Sequence, residues 1–170
     1  MKIKYTFFFL LFLSQHLIFS QEQSISSAKI SFTFVNEEVD GTLSGFTSSS
    51  SIDFNDLENS KFKGSVDVET IDTGNSLRNW SIRRGKYFNA SDYPKISFES
   101  TSIQSTASGF TVKGDLTIKS ITKSISVDFT KSGTQITGTT TLYSSDYGIT
   151  ISKKGREKNQ VDVIFAFQLK

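Results

Sequence analysis

The 170-residue sequence contains no cysteine, one histidine and one proline. Without cysteine, the chain cannot form a disulfide, use a thiol nucleophile or carry a lipid on a cysteine anchor. The histidine, His16, lies in an N-terminal segment that we interpret as cleaved, so the rest of the chain lacks the usual zinc, copper and haem ligands and the commonest general base. We therefore expect no metal, no cofactor and no enzymatic activity.

A long hydrophobic run is also missing. The apolar stretch Tyr5 to Leu13 follows a start with two lysines and ends at Ser14 after about nine residues, whereas a membrane-spanning helix needs roughly 18. A positive start, a short apolar stretch and a small residue such as Ser20 are typical of a secretory signal. We predict a signal peptide at residues 1–20, a single domain at residues 21–170, a periplasmic or secreted location and no stable membrane insertion.

Excess charge of either sign is absent from the predicted mature chain. The signal takes two of the 19 basic residues with it, which leaves 17 basic and 17 acidic residues. A basic surface is therefore not indicated, and we expect no nucleic-acid partner.

Period-two alternation of apolar and polar residues recurs along the chain. Its clearest instance runs from Phe110 to Ile118, and similar patterns lie near 30–34, 62–68, 125–129 and 161–169. About eight such strands, separated by short glycine-containing turns, predict an all-β antiparallel protein. Eight strands with one apolar face each can close into a barrel or stack as a sandwich, and we favour the barrel.

One stretch, 76–92, departs from the alternation. Leu77 and Trp80 recur there at helical spacing, after turn-forming residues at 72–75. This pattern predicts one or two short helices across an end of the barrel. Trp80 would then either close an apolar interior as a lid or plug the end of a filled core.

Several motifs resemble the YceI family of polyisoprenoid-binding proteins. The segment from Leu77 to Thr101 is similar to that family's helix, Tyr-Pro turn and Phe-x-Ser-Thr strand, although Asn79 and Ser81 replace the family's frequent Asp and His. The likeness extends over residues 25–169 in order and spacing. Further matching segments are Gly45-Phe46, Ile52 to Phe54, Ser65 to Asn75, Val112 to Phe129 and Ser145 to Ile149.

The resemblance implies an eight-stranded, lipocalin-like antiparallel β-barrel with one or two capping helices. It also implies non-catalytic carriage or storage of a long-chain amphiphilic lipid, such as an isoprenoid quinone or a polyprenyl lipid. Eleven of the 16 phenylalanines follow residue 20 and suit such an interior. The expected apolar lining is Phe32, Phe34, Phe46, Phe62, Val66, Val68, Trp80, Phe88, Phe98, Phe110, Val112, Leu116, Ile118, Val127, Phe129, Phe165 and Phe167.

A polar lipid head would stay at a barrel mouth, because burying an unpaired polar group costs several kcal/mol. Arg78, Arg83 and Arg84 in the predicted cap are the candidate head-group contacts. For Arg78 we favour a role in bracing the cap against a strand, and a solvated loop is the alternative for the other two.

Other functions remain open at this stage. A structural or adhesive secreted β-domain with a filled core would show the same alternation, as would an outer-membrane barrel. Asp67 with Glu69, and Asp53 with Asp56 in a turn region, are the candidate catalytic carboxylates, but the alternation turns the first pair towards water. The oligomeric state is also open, with a homodimer as one option.

Overall fold

The computed structural model describes residues 22–170, so the predicted signal peptide lies outside the described residues. Nine strands and one α-helix form within the described part of the chain. The strands are β1 (Ile25–Phe34), β2 (Val39–Leu43), β3 (Thr47–Ser48), β4 (Lys63–Asp67), β5 (Lys95–Thr106), β6 (Gly109–Ile118), β7 (Ile121–Ser132), β8 (Gln135–Tyr143) and β9 (Gln160–Leu169). The helix is α1 (Ser76–Ile82), and short 3-10 helices cover Leu57–Asn59, Val68–Thr70, Ser144–Tyr147 and Arg156–Asn159.

All nine strands belong to one curled sheet in the order β2-β1-β9-β8-β7-β6-β5-β4-β3. Every neighbouring pair is antiparallel, as the short connections predict. Backbone hydrogen bonds also join segments from the two ends of the sheet: in β2, Thr42 N donates to Asp72 O in the segment after β4 at 2.8 Å, and Gln23 N before β1 donates to Ile52 O after β3 at 2.7 Å. The all-β, antiparallel, barrel-like architecture is therefore confirmed.

The sheet has nine strands where eight were expected, because the segment 39–48 forms two short strands, β2 and β3, with a break at Gly45. Gly45 has φ of +66°, a conformation that L side chains rarely adopt. A Cβ atom there would also overlap the Asp67 carboxylate. The break separates β2 from β3, and Ser44 O instead accepts a hydrogen bond from Asp67 N at 3.1 Å.

Alternation along the strands sorts side chains between an apolar interior and water. In β6 the inward positions Phe110, Val112, Gly114, Leu116 and Ile118 are all buried. Because successive side chains of a strand point to opposite faces, one periodic pattern fixes both the strand and its dry side. The inward residues of β1, β4, β7 and β9 join the same apolar core.

The helix α1 begins where the turn residues predict. Asn75 is its N-cap, and its side-chain oxygen accepts a hydrogen bond from Arg78 N at 3.0 Å. Ile82 is the buried residue of this helix. The chain then turns back towards the core, where Phe88 N donates to Ile82 O at 3.0 Å.

Candidate functional site

Two apolar cavities adjoin inside the curled sheet. The first has a volume of about 90 Å³ and the second about 110 Å³, and both have almost wholly apolar walls. Five side chains line both cavities: Ile30, Val66, Ile96, Leu116 and Phe165. The two cavities thus form one elongated apolar site, divided by side chains that both halves share.

The capacity of this site can be judged from known cavities. An apolar protein cavity of about 150 Å³ holds benzene, so each half admits a segment of roughly four carbon atoms. A longer hydrocarbon chain has to displace the shared side chains. The interior is therefore suited to apolar chains, and a chain that occupies both cavities requires the shared side chains to move aside.

The space beside the phenylalanines depends on glycines in the neighbouring strands. Phe129 pairs directly with Gly138, where an added Cβ would lie 2.6 Å from the ring atom Cδ1. Phe32 faces Gly41 in the same way, and an added Cβ there would lie 2.7 Å from Cε2 of the ring. These glycines let the rings lie back against the wall instead of projecting into the interior.

Stacked aromatic rings form the wall of the first cavity. The Phe129 ring centroid lies 5.5 Å from that of Phe62 and 5.9 Å from that of Phe167, and the Phe110 ring packs on it from the surrounding core at 5.4 Å. Phe46 stacks on Phe167 at 5.4 Å. Offset ring pairs at such distances attract one another beyond their area burial, so this wall holds its shape next to the cavity.

Most residues expected to line the interior do border one of the two cavities. These are Phe32, Phe34, Phe46, Phe62, Val66, Phe88, Phe98, Leu116, Ile118, Val127, Phe129, Phe165 and Phe167. Three others, Val68, Phe110 and Val112, are buried in the surrounding core and line neither cavity. Whether the lining residues contact a ligand stays a prediction.

Trp80 requires a correction. Its side chain is 60% exposed and lies in neither cavity wall, so it is neither a lid nor a plug. The helix turns Ile82 inward instead, and Trp80 faces water beneath the Arg84 guanidinium, whose Cζ lies 4.4 Å from the ring centroid.

The expected lining also omitted several aliphatic residues. Ile30, Ile96 and Ile125 also lie on the inward faces of their strands and line the first cavity. The other apolar or aromatic lining residues outside the expected set, which share the inward face or follow β4 and β8, are Ile25, Leu43, Ile71, Leu142, Tyr147, Ile149, Val161 and Val163.

Two hydroxyl-bearing residues lie in the wall of the second cavity. Ser144 and Tyr147 are 8% and 2% exposed, and neither hydroxyl has a hydrogen-bond partner among the described residues. Burial, and secondarily the charge of Asp146, raises the pKa of Tyr147 to about 12. The phenol therefore stays neutral at physiological pH and adds no charge to the apolar site.

The three arginines proposed as head-group contacts line neither cavity. Arg78 Nε donates to Thr73 Oγ1 at 2.9 Å, so this arginine is held by the turn that precedes α1 and not by a strand. Arg83 donates to Ile71 O at 2.7 Å, and Arg83 and Arg84 border an outer groove beside Trp80. Ile71 lies between this groove and the second cavity: its carbonyl oxygen accepts from Arg83 at the groove, and the residue also lines the cavity.

Candidate catalytic groups are not assembled at this site. Asp67 Oδ1 pairs with Lys95 Nζ at 2.6 Å, and the Glu69 side chain is 64% exposed. Among residues 22–170, no group of three or more His, Asp or Glu side chains is placed to hold a metal ion. No helix in that part of the chain is long and apolar enough to cross a membrane.

These features define a lipocalin-like antiparallel barrel with an apolar interior. A family model described as "YceI-like domain" matches residues 20–169. The chain therefore belongs to the YceI-like family, and the resemblance noted in its motifs is confirmed.

Curated relatives agree with this assignment. A UPF0312 protein of Ectopseudomonas mendocina is 31% identical over 139 residues, covering 75% of this chain and 72% of the relative. A UPF0312 protein of Staphylococcus aureus is 30% identical over 127 residues, covering 68% of this chain and 72% of the relative. Some matches are shorter, and the chain spans 44% of the length of a UPF0312 protein of Photorhabdus laumondii.

Solved structures share the fold. BcnA of Burkholderia cenocepacia superposes with a TM-score of 0.72 at 22% identity, covering 84% of this chain and 96% of BcnA. A domain of Saccharophagus degradans described as polyisoprenoid binding superposes with a TM-score of 0.57 at 14% identity, covering 88% of this chain and 97% of that domain. At these identities the likeness concerns the fold alone.

Proposed function

We propose that this protein binds a long-chain amphiphilic lipid of polyisoprenoid type in its two adjoining cavities and carries or stores it without catalysis. The observation that carries the proposal is the pair of apolar cavities that share five side chains inside the curled sheet. The polyisoprenoid-binding description of the Saccharophagus domain, which has the same fold, supports this ligand class. We further propose that it acts in the periplasm or outside the cell, in line with the signal-like residues 1–20.

Transfer of hydrocarbon from water supplies the binding free energy. Each buried CH₂ is worth about 0.8 kcal/mol, so an isoprene unit of five carbons contributes a gross value of about 4 kcal/mol. Ordering a flexible chain offsets much of this gain. Because each cavity is smaller than the roughly 150 Å³ of a cavity that holds benzene, a flexible hydrocarbon chain fits the two-part site better than a rigid ring system.

Ile96 offers a direct test because it lines both cavities. Ile96→Trp fills the junction and should weaken the binding of cis-parinaric acid by up to about 200-fold, the gross worth of some four CH₂ groups, and should weaken undecaprenol, measured as its competitor, in the same way. The matched control is Ile164→Trp, since Ile164 is 49% exposed on the outer face of β9. Undiminished binding by Ile96→Trp, with both variants folded, would contradict the proposed site.

A further inference from the structure

Two apolar side chains project from the outer face of α1. Leu77 is 82% exposed and Trp80 is 60% exposed, whereas Ile82 on the opposite side of the helix is buried. Residues three apart on a helix lie on one face, so Leu77 and Trp80 form a single apolar surface. Single exposed apolar residues are ordinary, but a paired leucine and tryptophan on one short helix are not required by the fold.

Basic side chains surround this pair. Residues 76–92 contain four basic residues and one acidic residue, Asp92, whose carboxylate accepts a hydrogen bond from Asn89 Nδ2 at 2.8 Å, in a predicted mature chain whose net charge is zero. Arg84 lies over the Trp80 ring at 4.4 Å, and Lys86 lies over the Tyr87 ring at 5.0 Å. Arg78, Arg84 and Lys86 form no ion pair with any described residue.

The nearby acidic groups are engaged elsewhere. Glu69 lies 3.9 Å from Arg83, and that arginine also donates to Ile71 O. The Asp72 carboxylate accepts hydrogen bonds from Gly74 N at 2.9 Å and from Asn79 Nδ2 at 2.8 Å. The positive charge around the apolar pair is therefore left for an external partner.

We propose that α1 docks the protein peripherally on an anionic lipid bilayer, with Leu77 and Trp80 entering the interface and Arg78, Arg84 and Lys86 contacting lipid phosphates. Tryptophan favours the membrane–water interface, and a basic, amphipathic surface binds anionic headgroups. The surface lies outside the wall that Ile71 and Phe88 contribute to the second cavity, so docking would bring that cavity next to the membrane. Docking does not depend on the proposed lipid carriage.

Trp80 makes the test direct because it is the only tryptophan in the chain. Purified, delipidated protein should show an emission shift to shorter wavelength with phosphatidylglycerol-containing vesicles, quenching by brominated lipid, and no shift with pure phosphatidylcholine. Arg78→Glu, Arg84→Glu and Lys86→Glu should each reduce co-sedimentation by a factor of at least about five. Co-sedimentation of the unchanged protein should also decrease as the salt concentration rises. Leu77→Ser should also reduce it.

Matched controls lie on the outer strand faces. Lys113→Glu and Ile164→Ser change exposed residues of the same types and should leave co-sedimentation unchanged. Ile96→Trp, which blocks the interior, should still dock, so loss of carriage and loss of docking are separable. Absence of vesicle binding, equal loss in the controls, or α1 variants that change only self-association in sedimentation velocity would each overturn the proposal.

Discussion

Gly138 controls how far the Phe129 ring can lie back from the first cavity, and Gly138→Ala tests this directly. A Cβ at position 138 would lie 2.6 Å from Cδ1 and 2.7 Å from Cζ of that ring. Since carbon atoms rest about 3.5 to 4.0 Å apart, the ring has to move by about 1 Å. Stacked neighbours at 5.4 to 5.9 Å restrain it on other sides, so the ring moves towards the cavity that it lines.

The magnitude follows from the displaced hydrocarbon. Loss of room for one or two CH₂ groups removes about 0.8 to 1.6 kcal/mol of binding, which is roughly a fourfold to fifteenfold weaker affinity for a prenyl or acyl chain. The free energy of unfolding should fall by about 1 kcal/mol, at the low end of overpacking costs, because the cavity accommodates the ring. Fluorescent-lipid titration and urea denaturation measure the two effects.

The control for this substitution is Gly85→Ala. Gly85 has an ordinary φ, and an added Cβ there would meet only Asn89 Oδ1 at 3.9 Å. This variant should bind lipid and unfold like the unchanged protein. Equal lipid affinity for Gly138→Ala and Gly85→Ala would refute the role assigned to the Phe129–Gly138 pair.

Three further outcomes follow from the site and its surroundings. Because the pKa of Tyr147 is raised to about 12, the folded state holds the phenol proton more tightly than the unfolded state does. The free energy of unfolding should therefore fall by roughly 2 to 3 kcal/mol between about pH 10 and 12. Denaturation measured as a function of pH should show a smaller fall for Tyr147→Phe. The buried Asn159 amide accepts hydrogen bonds from Ile151 N and Ser152 N and donates to Ser152 O and Gly155 O. Asn159→Ala should therefore lower the free energy of unfolding, measured by chemical denaturation, by about 2 to 4 kcal/mol. Asn59→Ala, at an exposed position, is the comparison. Lys61 and Lys63 hydrogen-bond Glu99 and lower its pKa to about 2, so its stabilising contribution should persist at neutral pH and be lost only as pH falls towards 2, a loss that Glu99→Gln should lack.

Much of the barrel could be predicted from the sequence because its signal is local. In β6 the alternation of Phe110 to Ile118 with polar neighbours fixes both the strand and its inward face, since successive side chains point to opposite sides. The turn residues before Ser76 likewise mark the start of α1.

Features that depend on distant residues could not be predicted. The break between β2 and β3 arises where Gly45 meets Asp67, 22 positions later in the chain. The Phe129–Gly138 pairing depends on strand register, and it decides whether the ring fills the interior or lines it. The spacing of Leu77 and Trp80 indicated a helical face, but not that this face turns towards water.

Native mass spectrometry of the protein purified from its own host, without detergent or refolding, tests lipid carriage most directly. We expect a complex heavier than the polypeptide by the mass of one lipid, and organic extraction should release a molecule with a long prenyl or similar hydrocarbon chain. The Ile96→Trp protein should lack this mass, and Ile164→Trp should keep it. A bare polypeptide mass for the unchanged protein, with nothing extracted, would contradict carriage and leave a structural β-domain as the better description.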